Sequence, residues 1–108
     1  MLGFAQKAGK VSAGTLAAKS SLIRRKAYLL LMSNDIADNS KEMLINICQK
    51  VNIPWVILGN KYDLGTSVGK AYRVAVTIND NKMAAALLDA INRTEEKIET
   101  MGVVEWPK

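Results

Sequence analysis

The chain has 108 residues, of which 49% are hydrophobic and 23% are charged, values typical of one globular domain and unlike those of disordered chains. With one cysteine and no histidine, it has no internal disulfide, no histidine-dependent catalytic pair and no zinc site of cysteines or histidines. It also lacks a signal-peptide pattern and an apolar run of about 20 residues. We therefore expect a cytoplasmic protein that associates with no membrane and holds neither a metal ion nor a cofactor.

The net charge is +5, and the basic residues are concentrated near the start of the chain. Residues 1–34 contain six bases and no acid, whereas acids outnumber bases after Arg73. This asymmetry predicts a surface that faces a polyanion such as a nucleic acid. The alternative is a solvated basic face without a partner.

The first third of the chain predicts short, alternating elements. We expect a short helix over residues 2–8, a short strand over residues 10–12, and a helix that runs from its N-cap Thr15 to about Lys26. The continuous apolar run at residues 28–32 is typical of a strand that is buried on both faces.

The middle of the chain continues this alternation. Asn39 and Glu42 form a capping-box pattern that begins a helix, and Pro54 stops it. Cys48 lies on the apolar stripe of this helix, which favours core packing over a reactive thiol. Residues 55–58 are predicted to form the next buried strand.

The remaining elements are a short helix and a strand followed by a long helix. Asn60 is expected to cap the short helix, which ends near Gly65, and residues 72–78 form the strand. The long helix begins at residues 79–80 and ends at Gly102.

Strands that alternate with helices predict an α/β fold, a three-layer α-β-α sandwich with a mixed, mostly parallel sheet of about four strands. We expect a single domain over residues 1–101, followed by a tail over residues 102–108 whose place we leave open.

Three glycine-marked segments, 8–15, 33–39 and 64–73, contain the most informative motifs. They include AGK-x-x-x-G before a helix, an apolar strand that ends in a small residue and Asp35, and LG-x-x-x-GK before the last strand; IP-x-V leads into the strand between them. In order and spacing, these motifs resemble the kink-turn-binding ribosomal protein family of archaea and eukaryotes, and more closely its bacterial YlxQ-type branch. The resemblance covers roughly residues 2–91.

The resemblance implies an α-β-α sandwich that binds kinked or structured RNA, including ribosomal RNA, and that has no catalytic activity. It also implies a monomer with the ribosome as a partner. In that family the N-terminus of the second helix lies against tandem sheared G·A pairs, and a neighbouring loop holds a flipped-out nucleotide.

On this chain, the resemblance and the side-chain chemistry together predict an RNA-binding surface. Its residues are Lys10, Gly14, Thr15, Leu16, Lys19, Ser20, Asn34, Asp35, Ile36, Lys61, Lys70, Ala71, Tyr72 and Arg73. Gly14 is expected to let two backbones approach each other closely. The helix start at Thr15 offers unpaired N–H groups and the positive end of the helix dipole to RNA.

The other side chains supply charge and an aromatic ring. Lys10, Lys19 and Lys61 are expected to neutralise phosphates where a bent RNA brings its strands together. Tyr72 is expected to stack on an exposed base, although packing on its neighbours is an equally good explanation for this tyrosine. Arg73 is expected to stack on a base or pair with a phosphate.

The sequence departs from the family's pattern at the helix that reads the G·A pairs. Leu16, Ala17 and Ser20 stand where the archaeal motif has Asn, Glu and Lys, and Lys19 comes one position early. Leucine and alanine side chains cannot hydrogen-bond to guanine, and by analogy with DNA each lost base-reading pair weakens discrimination by ~1–3 kcal/mol. We therefore expect relaxed sequence preference.

Two alternatives follow from the same residues. A protein-interaction module on the same fold, without specific RNA recognition, is favoured by Leu16 and Ala17. An enzyme that uses Asp35 and Lys61 at the edge of the sheet is the least supported.

Overall fold

The computed structural model describes residues 10–93 together with residues 104 and 105. The elements in chain order are β1 (Val11–Ala13), α1 (Thr15–Ile23), β2 (Leu29–Met32), α2 (Asp38–Val51), β3 (Trp55–Ile57), α3 (Lys61–Ser67), β4 (Ala75–Ile78), α4 (Asn81–Arg93) and β5 (Val104–Glu105). The helix predicted over residues 2–8, and the extension of the last helix past residue 93, lie outside the described residues.

The strands form one mixed sheet in the order β1-β4-β2-β3-β5. β4 is antiparallel to both of its neighbours, β1 and β2, so β1 and β2 point the same way. β3 is parallel to β2, and β5 is antiparallel to β3. The alternation of strands and helices therefore predicted the common direction of β1, β2 and β3 correctly. The expectation that the sheet is mostly parallel is wrong, because β4 is inserted between β1 and β2.

The path of the chain after α3 gives β4 its direction. The seven residues of α3 span only about 10 Å. The loop over residues 68–74 then returns the chain to the edge where β3 ended, so β4 begins there and runs the opposite way.

The sheet separates two apolar layers, as expected for the predicted α-β-α sandwich. Leu29 and Leu31 on β2 face α3 and α4, whereas Leu30 and Met32 face α1 and α2. All four side chains are 0% exposed, which explains the unbroken apolar run in the sequence. The first layer also contains Leu64 of α3, Val68 at the C-cap of α3, and Ala84 and Ile91 of α4. The helical residues in the second layer are Ala18, Leu22, Leu44 and Cys48.

Residues 104 and 105 belong to the segment that the sequence analysis left without a place in the fold. They form β5, which pairs with β3 at Trp55 and Val56 and extends the sheet from the four predicted strands to five. The division into a domain over residues 1–101 and a tail over residues 102–108 stays a prediction.

Two predicted helix starts are shifted. Gly14, with φ 112°, is the N-cap of α1, and Thr15 is the first helical residue. The helix ends at Ile23 instead of Lys26, because Arg25 adopts a left-handed conformation with φ 61°. In α2 the N-cap is Ala37, so the capping box that we predicted at Asn39 is wrong.

The start of α3 matches its prediction and its end does not. Asn60 caps the helix, accepting hydrogen bonds from the backbone N–H groups of Tyr62 and Asp63 at 2.9 Å. The helix continues through Gly65 instead of ending there. A Cβ atom at Gly65 would lie 2.4 Å from the Cα of Tyr72. Glycine is therefore required at position 65 by the close approach of the loop that precedes β4.

We predict that Gly65→Ala lowers the free energy of unfolding by about 1–3 kcal/mol, because overpacking against backbone atoms outweighs the roughly 1 kcal/mol gain in helix propensity. Urea unfolding followed by circular dichroism measures the change. Thr66→Ala is the matched control, since Thr66 is exposed on the same helix, and it should stay within about 0.5 kcal/mol of the wild type. Equal unfolding midpoints for wild type and Gly65→Ala would contradict this packing.

Cys48 is 0% exposed and packs in the layer formed with α1 and α2, which confirms its predicted core role. Burial raises the pKa of its thiol from 9.0 to about 12. The thiolate is the reactive form, so we predict that native Cys48 resists disulfide-exchange reagents at pH 8 and reacts fully in denaturant. The thiol of the unfolded chain ionises at a lower pH than the buried thiol of the folded protein. The free energy of unfolding should therefore fall as the pH rises from 9.0 to about 12. Rapid stoichiometric labelling of the native protein would be inconsistent with this environment.

Candidate nucleic-acid interface

The three glycine-marked segments meet at one edge of the sheet. β1, β2 and β3 end at this edge and β4 begins there, because β4 alone among these four strands runs in the other direction. We call it the turn edge. It gathers the β1–α1 turn at Gly14, the β2–α2 loop at residues 33–37, the β3–α3 turn at Asn60 and the α3–β4 loop at residues 68–74.

Backbone hydrogen bonds join these turns to one another. They run from the Gly14 N–H to the Ala75 carbonyl (2.8 Å), from the Ser33 N–H to the Val74 carbonyl (2.9 Å), from the Asn34 N–H to the Gly59 carbonyl (2.7 Å) and from the Arg73 N–H to the Lys61 carbonyl (3.0 Å). Each bond connects segments that are far apart in the sequence. The turn edge is therefore one continuous surface.

The first turn of α1 presents its backbone N–H groups at this surface. Among residues 10–93, no side chain caps these groups, and the first turn of α1 contains no acid. Gly14 is needed for its positive φ of 112°. A Cβ there would lie 3.8 Å from the nearest atom of Arg73, an ordinary contact distance within the chain, and the close approach of two backbones expected at Gly14 stays a prediction. Leu16 is 80% exposed beside this helix start.

An aromatic and cationic cluster lies beside the α1 start, at the beginning of α3. The ring centroids of Tyr62 and Tyr72 are 6.3 Å apart, with their planes at 70°. The Nζ atom of Lys61 lies 5.4 Å from the Tyr62 centroid and 5.6 Å from the Tyr72 centroid. The two rings are 58% and 54% exposed. We call these three residues the aromatic cluster.

Lys61 and Tyr72 were predicted from the sequence as site residues, whereas Tyr62 was not. The buried apolar side chains of α3 and its C-cap are Leu64 and Val68, which recur at helical spacing. Tyr62 falls off that apolar stripe, in the first turn and next to a lysine. An aromatic residue placed off the buried face of a short helix is the signal that would have identified it.

Two carboxylates at the turn edge are engaged by backbone groups. Asp35 Oδ1 accepts a hydrogen bond from the Lys61 N–H at 3.1 Å, and Asp63 Oδ2 accepts one from the Asn60 N–H at 3.3 Å. Both acids thus stabilise the start of α3. This structural role explains the presence of Asp35 without a role in catalysis.

The charges near the turn edge are close to balanced. The described bases there are Lys41, Lys61, Lys70 and Arg73. The described acids there are Asp35, Asp38, Glu42 and Asp63. A ligand of this edge is therefore held less by net charge than by specific contacts.

The structure brings most of the predicted site residues to this surface. Those at the turn edge are Gly14, Thr15, Leu16, Asn34, Asp35, Lys61, Lys70, Ala71, Tyr72 and Arg73. Lys19 and Ser20 lie further along α1, in a shallow groove of about 260 Å³ that is also lined by Leu16, Ile23 and Arg24.

Two predicted site residues lie elsewhere. Ile36 is 7% exposed and packs in the apolar layer under α1 and α2, so its side chain is not on the surface. Lys10 precedes β1, and its carbonyl accepts a hydrogen bond from the Asn79 N–H at the other end of the sheet. Four residues of extended chain place it about 13 Å from Gly14.

Other kinds of site find little support in the part of the chain that the structure describes. Residues 10–93 and 104–105 contain no group of three or more histidine, cysteine, aspartate or glutamate side chains that is placed to hold a metal ion. Within the same residues, every helix is too short or too polar to cross a membrane.

Comparisons with known proteins agree with the fold and with the predicted resemblance. The chain is 27% identical over 92 residues to the RNA-binding protein YlxQ of Bacillus subtilis (85% of this chain, 92% of the relative). It is 30% identical over 95 residues to the large ribosomal subunit protein eL8 of Thermoplasma acidophilum (85% and 77%). A solved structure of a protein of unknown function from Bacillus halodurans superposes with a TM-score of 0.73 at 24% identity, covering 77% of this chain and 84% of that one, and supports the fold.

The family model described as the ribosomal protein L7Ae/L30e/S12e/Gadd45 family matches residues 1–88 of this chain, which includes all three glycine-marked segments. The predicted kinship with kink-turn-binding ribosomal proteins, and with their YlxQ-type branch, is thereby confirmed. This chain belongs to the ribosomal protein L7Ae/L30e/S12e/Gadd45 family.

Proposed function

We propose that this protein binds structured RNA through its turn edge and acts by binding alone, without catalysis. The observation on which the proposal rests is that an uncapped helix start and an exposed aromatic cluster adjoin on one hydrogen-bonded surface. Similarity to an RNA-binding protein and to a ribosomal protein supports RNA as the ligand. We further propose that the protein acts as a cytoplasmic monomer on ribosomal RNA.

The two parts of the surface suit two features of a sharply bent RNA. The N–H groups at the start of α1 and the positive end of its dipole attract a phosphate. Tyr62 and Tyr72 offer ring faces to a base that has left its stack. Because their planes lie at 70°, one ring stacks on such a base while the other contacts its edge. Lys61 lies within reach of the phosphate of the same nucleotide.

Sequence preference should be weak at the α1 start. Leu16 is 80% exposed where the family pattern has a base-reading side chain, and it offers no hydrogen-bonding group. We therefore propose that the protein recognises the bend and the unstacked base more than the identity of the G·A pairs. A kink turn is then one suitable target among bent RNAs.

A second candidate function is protein binding through α1. Leu16 and Ile23 are 80% and 55% exposed and line the groove on that helix. Apolar side chains on an exposed helix face are typical of protein contacts. The aromatic cluster, which lies outside this groove, and the RNA-binding relative favour RNA instead.

The proposal is tested by titrating the protein with a kink-turn RNA and with the same RNA whose G·A pairs are replaced, at several salt concentrations. We predict binding to both, with a modest preference for the intact kink and an affinity that falls as salt rises. A preference of a thousandfold or more would contradict the relaxed recognition at Leu16. Absence of binding to either RNA at low salt would refute RNA binding and favour the protein partner.

The aromatic cluster is tested by Tyr62→Leu and Tyr72→Leu in the same titration with the kink-turn RNA. Loss of one stacking contact should weaken binding by about 5- to 150-fold, the equivalent of ~1–3 kcal/mol. Tyr28→Leu is the matched control, because Tyr28 is 45% exposed and precedes β2 at the opposite end of the sheet. If all three variants bind like the wild type, the cluster is not part of the RNA site.

A further inference from the structure

The most basic part of the described molecule is the edge opposite the turn edge. At this opposite edge β1, β2 and β3 begin and β4 ends. The bases placed there are all exposed, namely Lys10, Arg24, Arg25, Lys26, Lys50 and Lys82. Among residues 10–93, the acid at this edge is Asp80, and its carboxylate accepts a hydrogen bond from the Met83 N–H at 2.9 Å.

Three of these bases are consecutive in the turn after α1, which we call the basic turn (residues 24–26). Backbone hydrogen bonds from Arg25 to the Leu22 carbonyl (3.1 Å) and from Lys26 to the Ser21 carbonyl (2.9 Å) shape it. A hydroxyl contact also joins the end of α1 to β1, since Ser12 Oγ lies 2.7 Å from Ser21 Oγ. The basic turn therefore holds its three cations in one place.

Arg25 occupies a backbone conformation that normally selects glycine. Its φ of 61° lies in the left-handed region, which is unfavourable for a residue with a Cβ atom. Glycine at this position would relieve that cost and remove the charge. We therefore explain the arginine in this exposed, strained turn by a contact of its side chain with a ligand, and not by a contribution to the stability of the fold.

α1 connects the basic turn to the turn edge. Its nine residues span about 14 Å. Lys19 and Arg24 line the groove along its exposed side, so positive charge continues between the two edges. A nucleic acid that contacts the start of α1 and extends along the helix reaches residues 24–26 without a change in direction.

We propose that the basic turn is a second RNA contact, which holds the phosphate backbone of the helical stem next to the bend bound at the turn edge. This inference rests on the proposed function, since it assigns a further part of the same ligand. Arginine and lysine at this turn neutralise phosphates without reading sequence. The contact therefore adds affinity that depends on stem length and salt.

The test compares two kink-turn RNAs that differ only in one stem, which is either short or extended by a full helical turn. The variant is Arg24→Gln/Arg25→Gly/Lys26→Gln, in which glycine relaxes the strained position. Wild type should bind the extended RNA severalfold more tightly than the short one, and the variant should lose that advantage. For the variant on the extended RNA, the slope of log affinity against log salt concentration should be shallower by about 2–3, since each of the three lost phosphate contacts contributes about 0.7–0.9.

Two controls make the result specific. Lys50→Gln/Lys82→Gln removes charge from the same edge on α2 and α4 while leaving the basic turn intact, and should keep the advantage of the extended stem. Arg25→Gly alone should fold at least as stably as the wild type, measured by urea unfolding, and should reduce the salt slope by about 1.

The outcomes separate this inference from the proposed function. If the wild type binds both RNAs equally, or if the variant keeps the full slope and advantage, the second contact is overturned while RNA binding at the turn edge stands. The basic turn would then be assigned to a protein partner. If the wild type binds neither RNA, the proposed function fails and this inference fails with it.

Discussion

The antiparallel insertion of β4 between β1 and β2 determines which residues meet at the candidate site. Because β4 begins where the other strands end, the loop before it is hydrogen-bonded to the β1–α1 and β2–α2 turns through Ala75 and Val74. This arrangement places Arg73 against Gly14 and Tyr72 beside the start of α3. With a parallel β4, the same loop would have to run to the opposite edge of the sheet, and the cluster of tyrosines and lysine would not form.

Gly65 allows the loop before β4 to pack closely against α3. The backbone of Tyr72 passes so close to α3 that a side chain at position 65 would overlap it. The loop is thereby held against the first residues of α3, where Lys61 and Tyr62 lie. A glycine that would weaken an isolated helix thus fixes the position of the exposed rings.

The two edges of the sheet differ in their electrostatics. At the turn edge the acids Asp35 and Asp63 accept hydrogen bonds from the start of α3, and the nearby bases and acids are balanced. Close contacts, such as stacking and N–H donation, therefore dominate there. At the opposite edge exposed cations outnumber the described acid, so attraction of a phosphate backbone dominates. α1 joins the two, which suits a ligand that is both bent and long.

The sequence by itself determined the buried strands, the order of helices and strands, the core role of Cys48, the cap at Asn60 and the family. These follow from local patterns of apolar residues, turn formers and motif spacing, which one stretch of chain contains in full. Helix starts at Thr15 and Asn39 were misplaced because α1 and α2 begin at Gly14 and Ala37 without a side-chain cap, so the local capping pattern does not mark these starts. Only the tertiary structure decided the place of β4, the position of Lys10 away from the turn edge, the burial of Ile36 and the meeting of Tyr62 with Tyr72. Strand order, and with it every contact between distant turns, depends on how the segments pair in space, and no local pattern records that pairing.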